Sequence, residues 1–593
     1  MILDLQQATA DRTVGALARA LNQQSDGLRS LVMKTSRILP SEQSDPVEAL
    51  AAIDPMWTER HIWFTLQRAS ASLTLTHFVK AADLDHGLDG KIVPSSEGLF
   101  QWVFLRTFAI AGTVTLISIL LGYPVAYLLA STSGVRRRIV MMFVVIPLAT
   151  SILVRAIAWL VLLQTNGLVN DALRLVGIIS EPANLLHTRT ATILSMVHIQ
   201  LPFTILPIFA VMITISPNYV RAARSLGAGS VTTFLRIYLP LSMPGVAAGG
   251  LITFILSLGH YIIPALVGGS TDQMVSYYVA LYTNRLLNWG LASALGVILL
   301  VATIVICGAF VRLIGADRVA WCRDDRFRSA STIGARLVFL AICALVLLFL
   351  ILPVVAIVPL SFSADPWFTY PLPGWSLRWY QNLFGSEQWR NAFFNSVIIG
   401  SISTVLATSL GTLAAFGLAF HKVPFRSLVM AIMICPMIVP AVITAVAMYF
   451  SMQSLGLANS YTGIILAHTA LSCPFVVLTV MAVLNRFDRN LERAAASLGA
   501  GPVTVFRKVT LPIIAPGVIS GALFAFFTSW DEVVVVLFLG SPDQRTLPRQ
   551  MFSGISEQLS PTIISAATLL IVGYAVLGIF MAFRKDPTAQ RNG

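Results

Sequence analysis

Eleven runs of about twenty apolar residues punctuate this chain, and they narrow its possible folds more than any other feature. A hydrocarbon core about 30 Å thick is crossed by about 20 apolar helical residues. Inside it, every backbone N–H and C=O must find a partner within the protein. The runs lie near residues 107–130, 139–163, 191–215, 245–268 and 290–311, then near 337–360, 396–420, 427–452, 461–484, 517–540 and 562–583. Each predicts a transmembrane helix, apolar on all sides and studded with Gly and Pro as packed bundle helices are. Only 11% of the 593 residues are charged, too few to clothe a water-soluble globule of this size.

The formal charge of +13 does not point to nucleic acid, which calls for basic residues gathered on a solvated face with aromatics between them. Here Lys and Arg collect in alternate short loops: Arg136, Arg137 and Arg138; Arg221, Arg224 and Arg236; the segment 312–336; Lys422 and Arg426; Arg486 through Lys508; and the tail at Arg584 and Lys585. The positive-inside rule makes these loops cytoplasmic. The five cysteines include no C-x-x-C pair, so neither a disulfide framework nor a zinc site is encoded. The N-terminus lacks the basic start and apolar core of a signal peptide. Residues 1–98 are polar and mixed in charge, hence not membrane-spanning, and tracing back across the first span puts them on the outer face.

The chain repeats itself. Gly122, Pro147 and Gly167 match Gly411, Pro436 and Gly456 at an offset of 289. After a 17-residue excess around "RLVGIISEPANLLH", the offset becomes 272, pairing Pro202, Leu239 and Pro244 with Pro474, Leu511 and Pro516. Both copies keep one orientation, which makes this a parallel duplication. The expected organisation is an extracytoplasmic segment at 1–100, a first membrane domain at 101–315, a cytoplasmic linker at 316–335 and a second membrane domain at 336–593.

"RAARSLGAG" at Arg221–Gly229 returns as "RAAASLGAG" at Arg493–Gly501, and 15 of the 25 positions from Arg221 to Gly245 are identical between copies. Each phrase reads as a short helix, a turn at Gly227 or Gly499, where glycine accepts a left-handed backbone, and a second helix leading into the membrane. A cytoplasmic loop spelled twice implies the same kind of partner met twice.

At these residues the sequence resembles the membrane subunits of bacterial binding-protein-dependent ABC importers, whose E-A-A-x-x-x-G loop docks on an ATPase subunit. It is most similar to the polyamine (spermidine/putrescine) permease pair. The first half resembles one partner through "LLGYPVAYLLA", "LVRAIAWLVLL" and "YIIPALVGG"; the second resembles the other through "SWDEVVVVLFL" and "TLPRQM". The resemblance implies an all-α membrane protein of two tandem type I importer domains, with twelve spans if an upstream helix precedes the eleven visible ones. It also implies coupling loops at Arg221, Ala222, Ala223 and Gly227 and at Arg493, Ala494, Ala495 and Gly499. The implied partners are two copies of a cytoplasmic ATPase, a periplasmic binding protein and the lipid of a bacterial inner membrane. The family's Glu is Arg at both 221 and 493, with Glu492 one residue earlier in the second copy.

No G-x-x-x-x-G-K-[ST] phosphate loop occurs, so ATP and Mg belong to a partner and no cofactor is expected in this chain. Nor does any spacing suggest a catalytic cluster, which argues for a permease rather than an enzyme. Asp531 and Glu532 fall within the tenth apolar run, about 21 Å from its cytoplasmic end by helical rise. An acid at that depth costs about 3 kcal/mol and demands a partner or a watery cavity. They are candidates to attract a substrate amine, with Trp530 stacking on it, or a structural pair with a neighbouring Arg. His260 and Tyr261 occupy the repeat-related segment and face the same pathway by symmetry. Arg155 and Trp159 lie toward the outer end of their helix, where Arg155 could snorkel to the interface. His198, Gln200, His468 and Ser472 read as polar stitches between helices. The expected function is import of a small cationic or zwitterionic amine. Iron, sulfate, thiamine, aminophosphonate, opine or amino-acid import remains an alternative, and an ion-coupled secondary carrier is a rival from another class.

Overall fold

Helices account for every one of the apolar runs, and their ends recur at the two repeat offsets. The computed structural model describes residues 5–583 except 6, 10, 12, 23–26, 39–45, 70–74, 87–90, 96–97, 315–332, 369, 422, 486 and 558–559. Most of the expected linker, together with Lys422, Arg486, Arg584 and Lys585, therefore lies outside the described residues. The first copy comprises α1 (Phe100–Ser131), α2 (Gly134–Ala149), α3 (Ile152–Leu162), α4 (Arg189–Met212), α5 (Pro217–Ser225), α6 (Leu239–Leu258), α7 (Ile262–Val267), α8 (Val275–Asn284) and α9 (Trp289–Ile314). After α10 (Ile333–Leu360), the second copy follows as α11 (Glu387–Phe420), α12 (Arg426–Ile438), α13 (Ala441–Ser454), α14 (Tyr461–Leu484), α15 (Asn490–Ser497), α16 (Leu511–Asp531), α17 (Val534–Leu539), α18 (Leu547–Glu557) and α19 (Pro561–Phe583). Adding 272 to both ends of α4 or α7 gives α14 or α17.

Four of the expected continuous spans are broken. Residues 139–163 fold as α2 and α3 at 90° to one another, and residues 427–452 as α12 and α13 at 104°. In the second copy Pro440 explains the bend, because the residue before a proline is driven out of the helical region, and Val439 is extended at φ −70°, ψ 131°. In the first copy Thr150 takes the same extended conformation. The runs at 245–268 and 517–540 each stop short, at Leu258 and Asp531, and resume as the brief α7 and α17. Eight helices among the described residues are long and apolar enough to cross a membrane unbroken.

Small residues let the helices of each copy approach closely. A Cβ on Gly249 of α6 would stand 2.7 Å from the Thr204 carbonyl oxygen of α4, and one on Gly521 of α16 would stand 2.6 Å from the Thr479 hydroxyl of α14. These repeat-related glycines fit the small-residue packing of membrane helices. The helix that opens the second half by sequence packs on the first: Val346 and Leu350 of α10 are buried with Leu201, Ile205 and Ile208 of α4. Phe349 lies 5.6 Å from Trp159.

The described chain divides into two compact units, residues 1–106 with 278–299, and residues 107–277 with 300–593. In the smaller, short helices at Leu28–Arg37 and Pro46–Ile53 bury Leu28, Leu31, Leu50 and Trp57. The Trp57 indole donates to the Thr35 hydroxyl at 3.0 Å. Asp83 accepts from the backbone N–H groups of Leu99, Phe100 and Gln101 at 3.0, 2.8 and 2.6 Å. Its carboxylate thus satisfies three of the unpaired donors at the start of α1.

Candidate coupling loops and translocation pathway

The repeated phrase forms the same object twice. α5 ends at Ser225, Gly227 turns at φ +84°, and a helix starting at Ser230 passes through a wide turn at Phe234–Tyr238 into α6. The second copy repeats this with α15, Gly499 at φ +82°, a helix from Pro502 and a wide turn at Phe506–Thr510 leading into α16. Nothing lies within 4 Å of a Cβ built on either glycine, so the residue is required by backbone conformation alone. Arg221, Ala222, Arg493 and Ala494 are exposed, whereas Ala223 is buried and Ala495 half-buried, anchoring each helix to its own copy. Sequence reasoning passed over Leu226 and Leu498, each 88% exposed at the tip of its loop. The same large apolar side chain is thus exposed at the same place in both copies. The Glu492 carboxylate accepts from the Thr510 hydroxyl at 2.7 Å, tying α15 to its own wide turn.

The breaks after α6 and α16 bring the two halves together. Gly259 meets Pro440 and Ala441 so closely that a Cβ would stand 3.0 Å from the Pro440 Cα and 3.3 Å from the Ala441 nitrogen. At the repeat-related place, Asp531 reaches Ile152, whose N–H donates to the carboxylate oxygens at 3.2 and 3.4 Å. Since 259 and 531 differ by 272, and 152 and 441 by 289, these contacts are equivalents under one pseudo-twofold relation. One is made through a missing side chain, the other through a carboxylate seated on the positive end of α3.

Asp531 and Glu532 are therefore not interior helical positions, as the unbroken apolar run suggested. Asp531 is the last residue of α16 and Glu532 is extended beyond it. The Glu532 carboxylate accepts the Val535 N–H at 2.9 Å and so caps α17. Arg155 does not snorkel. It is 2% exposed, donates to the Ile199 carbonyl at 3.3 Å, leaves its Nε without a partner, and lies within electrostatic range of Asp531. His198 and His260 lie within electrostatic range of Arg155. Tyr261 lies 6.1 Å, ring to ring, from Phe552 of the other half. Trp530 is buried with one face on Phe526 at 5.4 Å and its edge toward Phe393 at 6.2 Å.

The polar stitches are mostly in place. His198 meets the Leu350 carbonyl at 2.9 Å, His468 the Ser529 hydroxyl at 2.7 Å, and the Ser472 hydroxyl donates to the Ala525 carbonyl at 3.2 Å. The Gln200 amide oxygen has no partner.

Residues 118–320 and 407–585 each match the family described as binding-protein-dependent transport system inner membrane component. The chain is 32% identical over 224 residues to the spermidine/putrescine transport system permease protein PotC of Haemophilus influenzae, covering 38% of this chain and 87% of that one. It is 33% identical over 254 residues to the putrescine transport system permease protein PotI of Escherichia coli, covering 41% and 88%. PotB of Haemophilus influenzae, a spermidine/putrescine transport system permease protein, is 32% identical over 209 residues, covering 35% and 73%. Among solved structures, a bacterial ABC transporter involved in the import of alginate covers 45% of this chain and 99% of its own, at 15% identity and a TM-score of 0.35. With two matched regions in one polypeptide, each carrying its own membrane helices and loop, the chain belongs to the binding-protein-dependent transport system inner membrane components and is a multi-pass ABC importer permease, not an enzyme.

Proposed function

We propose that this chain supplies both permease domains of an ATP-driven importer in a bacterial inner membrane, carrying a small cationic or zwitterionic amine of the polyamine kind. The observation that carries the proposal is the duplicated loop, with its left-handed glycine and exposed leucine in both copies. Two like surfaces suit two copies of one cytoplasmic ATPase, which would supply the ATP and Mg that this chain has no loop to bind. Docking engages Arg221, Ala222 and Gly227 in one copy and Arg493, Ala494 and Gly499 in the other, with Ala223 and Ala495 holding the helices in place. ATP binding then rocks the halves about the contacts at Gly259 and Asp531, and a periplasmic binding protein delivers the solute to the outer face.

The polyamine-like substrate is supported by the named relatives and by Asp531, a carboxylate at the junction of the two halves that meets α3 of the first half. Trp530, His260 and Tyr261 border that contact, and Glu532 shapes the break beside it. The test is ATPase activity of the chain in lipid vesicles with its ATPase subunit, with and without loaded binding protein, across polyamines, amino acids and anions. Stimulation by a polyamine-loaded binding protein is the expected result. Stimulation only by an iron-, aminophosphonate- or opine-loaded one moves the substrate, and failure to associate with any ATPase overturns the importer mechanism.

A further inference from the structure

The two copies differ most at their outer ends. In the first, Phe100 at the start of α1 packs against Tyr278 and Tyr282 of α8, with ring centroids 6.2 and 6.1 Å apart. The His77 ring lies directly over Gly290, where a Cβ would come within 2.3 Å of it. The repeat offsets carry these positions to Trp389, Gln550, Gly554 and Thr562 in the second copy. There Trp389 keeps a ring in place of Phe100, but both tyrosine rings are gone and a cavity of about 390 Å³ is open, lined by Trp389, Arg545, Gln550, Ser553, Ser560 and Thr562 among others. It sits at the outer end of α11, away from the coupling loops.

Its chemistry is one-sided. Arg545 donates to the Gln550 amide oxygen at 3.3 Å, while its buried Nε has no partner. Neighbouring Arg549 is spent elsewhere, donating to the Gly540 and Ser541 carbonyls at 2.7 and 3.1 Å beyond α17. Among the described lining residues none is Asp or Glu. The Arg545 guanidinium, the Gln550 amide and several hydroxyls beside the Trp389 indole line the cavity together and form a site for a planar anion with a short apolar body. Arginine's fork matches a carboxylate, and the volume falls within the range of small-molecule sites. An amine without a carboxylate finds no counter-charge there.

We propose that this outer pocket binds a small carboxylate-bearing solute, with Arg545 as its anchor. The site stands apart from the proposed coupling mechanism, because binding to it requires no ATPase. The test uses the full chain in lipid nanodiscs carrying Ser553→Cys, with maleimide modification of that peptide followed by mass spectrometry so that the native cysteines do not interfere. Glutarate and 4-aminobutyrate should protect the introduced thiol in a saturable way, and putrescine should not. Arg545→Gln should shift half-protection by about tenfold or more, the worth of a charged hydrogen bond. Gln550→Tyr, which restores the ring of the first copy, should abolish protection while leaving Arg545 in place and so covers the case in which the arginine variant folds poorly. Absence of protection by either carboxylate, equal protection by putrescine, or protection unchanged in Gln550→Tyr would each overturn the assignment.

Discussion

The contact between Asp531 and the α3 segment should be measurable as a coupling free energy. Asp531→Asn keeps an oxygen for the Ile152 N–H but removes the charge, and Arg155→Gln removes the facing cation while retaining a donor. Two unit charges 4 Å apart interact by about 4 kcal/mol at an effective dielectric constant of about 20. Arg155 and Asp531 interact electrostatically without forming a direct ion pair, so their coupling falls below that. It should exceed the average of about 0.6 kcal/mol for neutral hydrogen bonds between membrane helices, because Arg155 is 2% exposed and water does not screen it. The expected coupling is about 1–3 kcal/mol, with the double variant less destabilised than the sum of the singles. Reversible unfolding of the four proteins in mixed micelles gives the number. Additivity within about 0.5 kcal/mol would mean that the two charges do not sense each other, and the account of a charged junction between the halves would be wrong.

Other consequences are more local. Gly499→Pro should abolish ATPase coupling and uptake while leaving membrane insertion intact, because proline fixes φ near −65° where the turn stands at +82°; Leu226→Ala with Leu498→Ala should weaken ATPase docking without loss of thermal stability, and an unchanged pull-down of the subunit would remove the leucines from the interface. Gly249→Val should destabilise the first copy by about 1–3 kcal/mol through overpacking against Thr204, read as a lowered unfolding midpoint. Asp83→Ala should cost about 1–2 kcal/mol of cap energy and accelerate hydrogen exchange at Leu99, Phe100 and Gln101, with Asp83→Asn milder. Burial, reinforced by Lys80, holds the His77 imidazole below its ordinary pKa, so its contribution is complete above about pH 6.5 and is lost as pH falls through the depressed value. The protection factor at Gly290, referred to the intrinsic exchange rate at each pH, should therefore fall between pH 7 and pH 5, and His77→Gln should flatten that dependence.

Much of the architecture was legible in the sequence because membrane helices announce themselves by length and hydropathy, and a duplication checks itself. The duplicated helix-turn loops were legible for the same reason, and the exposure of Leu226 and Leu498 could have been read from a leucine kept at one place in two polar phrases. What hydropathy could not show is where an apolar run breaks. Residues 517–540 score as one span, yet α16 stops at Asp531 because Glu532 turns back to cap α17. That local hydrogen bond changed the meaning of two adjacent acids. Arg155 was misplaced because its partners, Ile199 and Asp531, come from another helix and from the other half, 44 and 376 positions away. The packing of α10 on the first copy was hidden too, since sequence order assigns that helix to the second.

The halves are alike where their partner is alike and different where it is not. In the proposed assembly two copies of one ATPase would present identical faces, and the two loops share a turn geometry to within a few degrees of φ. The junction between the halves and the outer ends of the two copies, by contrast, are not alike. Gly259 stands opposite the role of Asp531, and the ring-filled outer end of the first copy opposite the open pocket beside Arg545. In separate subunits such specialisation is safe only if assembly never pairs two copies of the same half, because two Asp531-type junctions would bury two carboxylates and two Gly259-type junctions none. Joining the halves in one chain removes that failure. The charge at the junction can then be tuned on one side alone, and Gly259→Asp offers the corresponding test: its Cβ would stand 3.0 Å from the Pro440 Cα, so even with the Ala441 N–H within reach the second carboxylate should destabilise the chain through overpacking, read as a lowered unfolding midpoint.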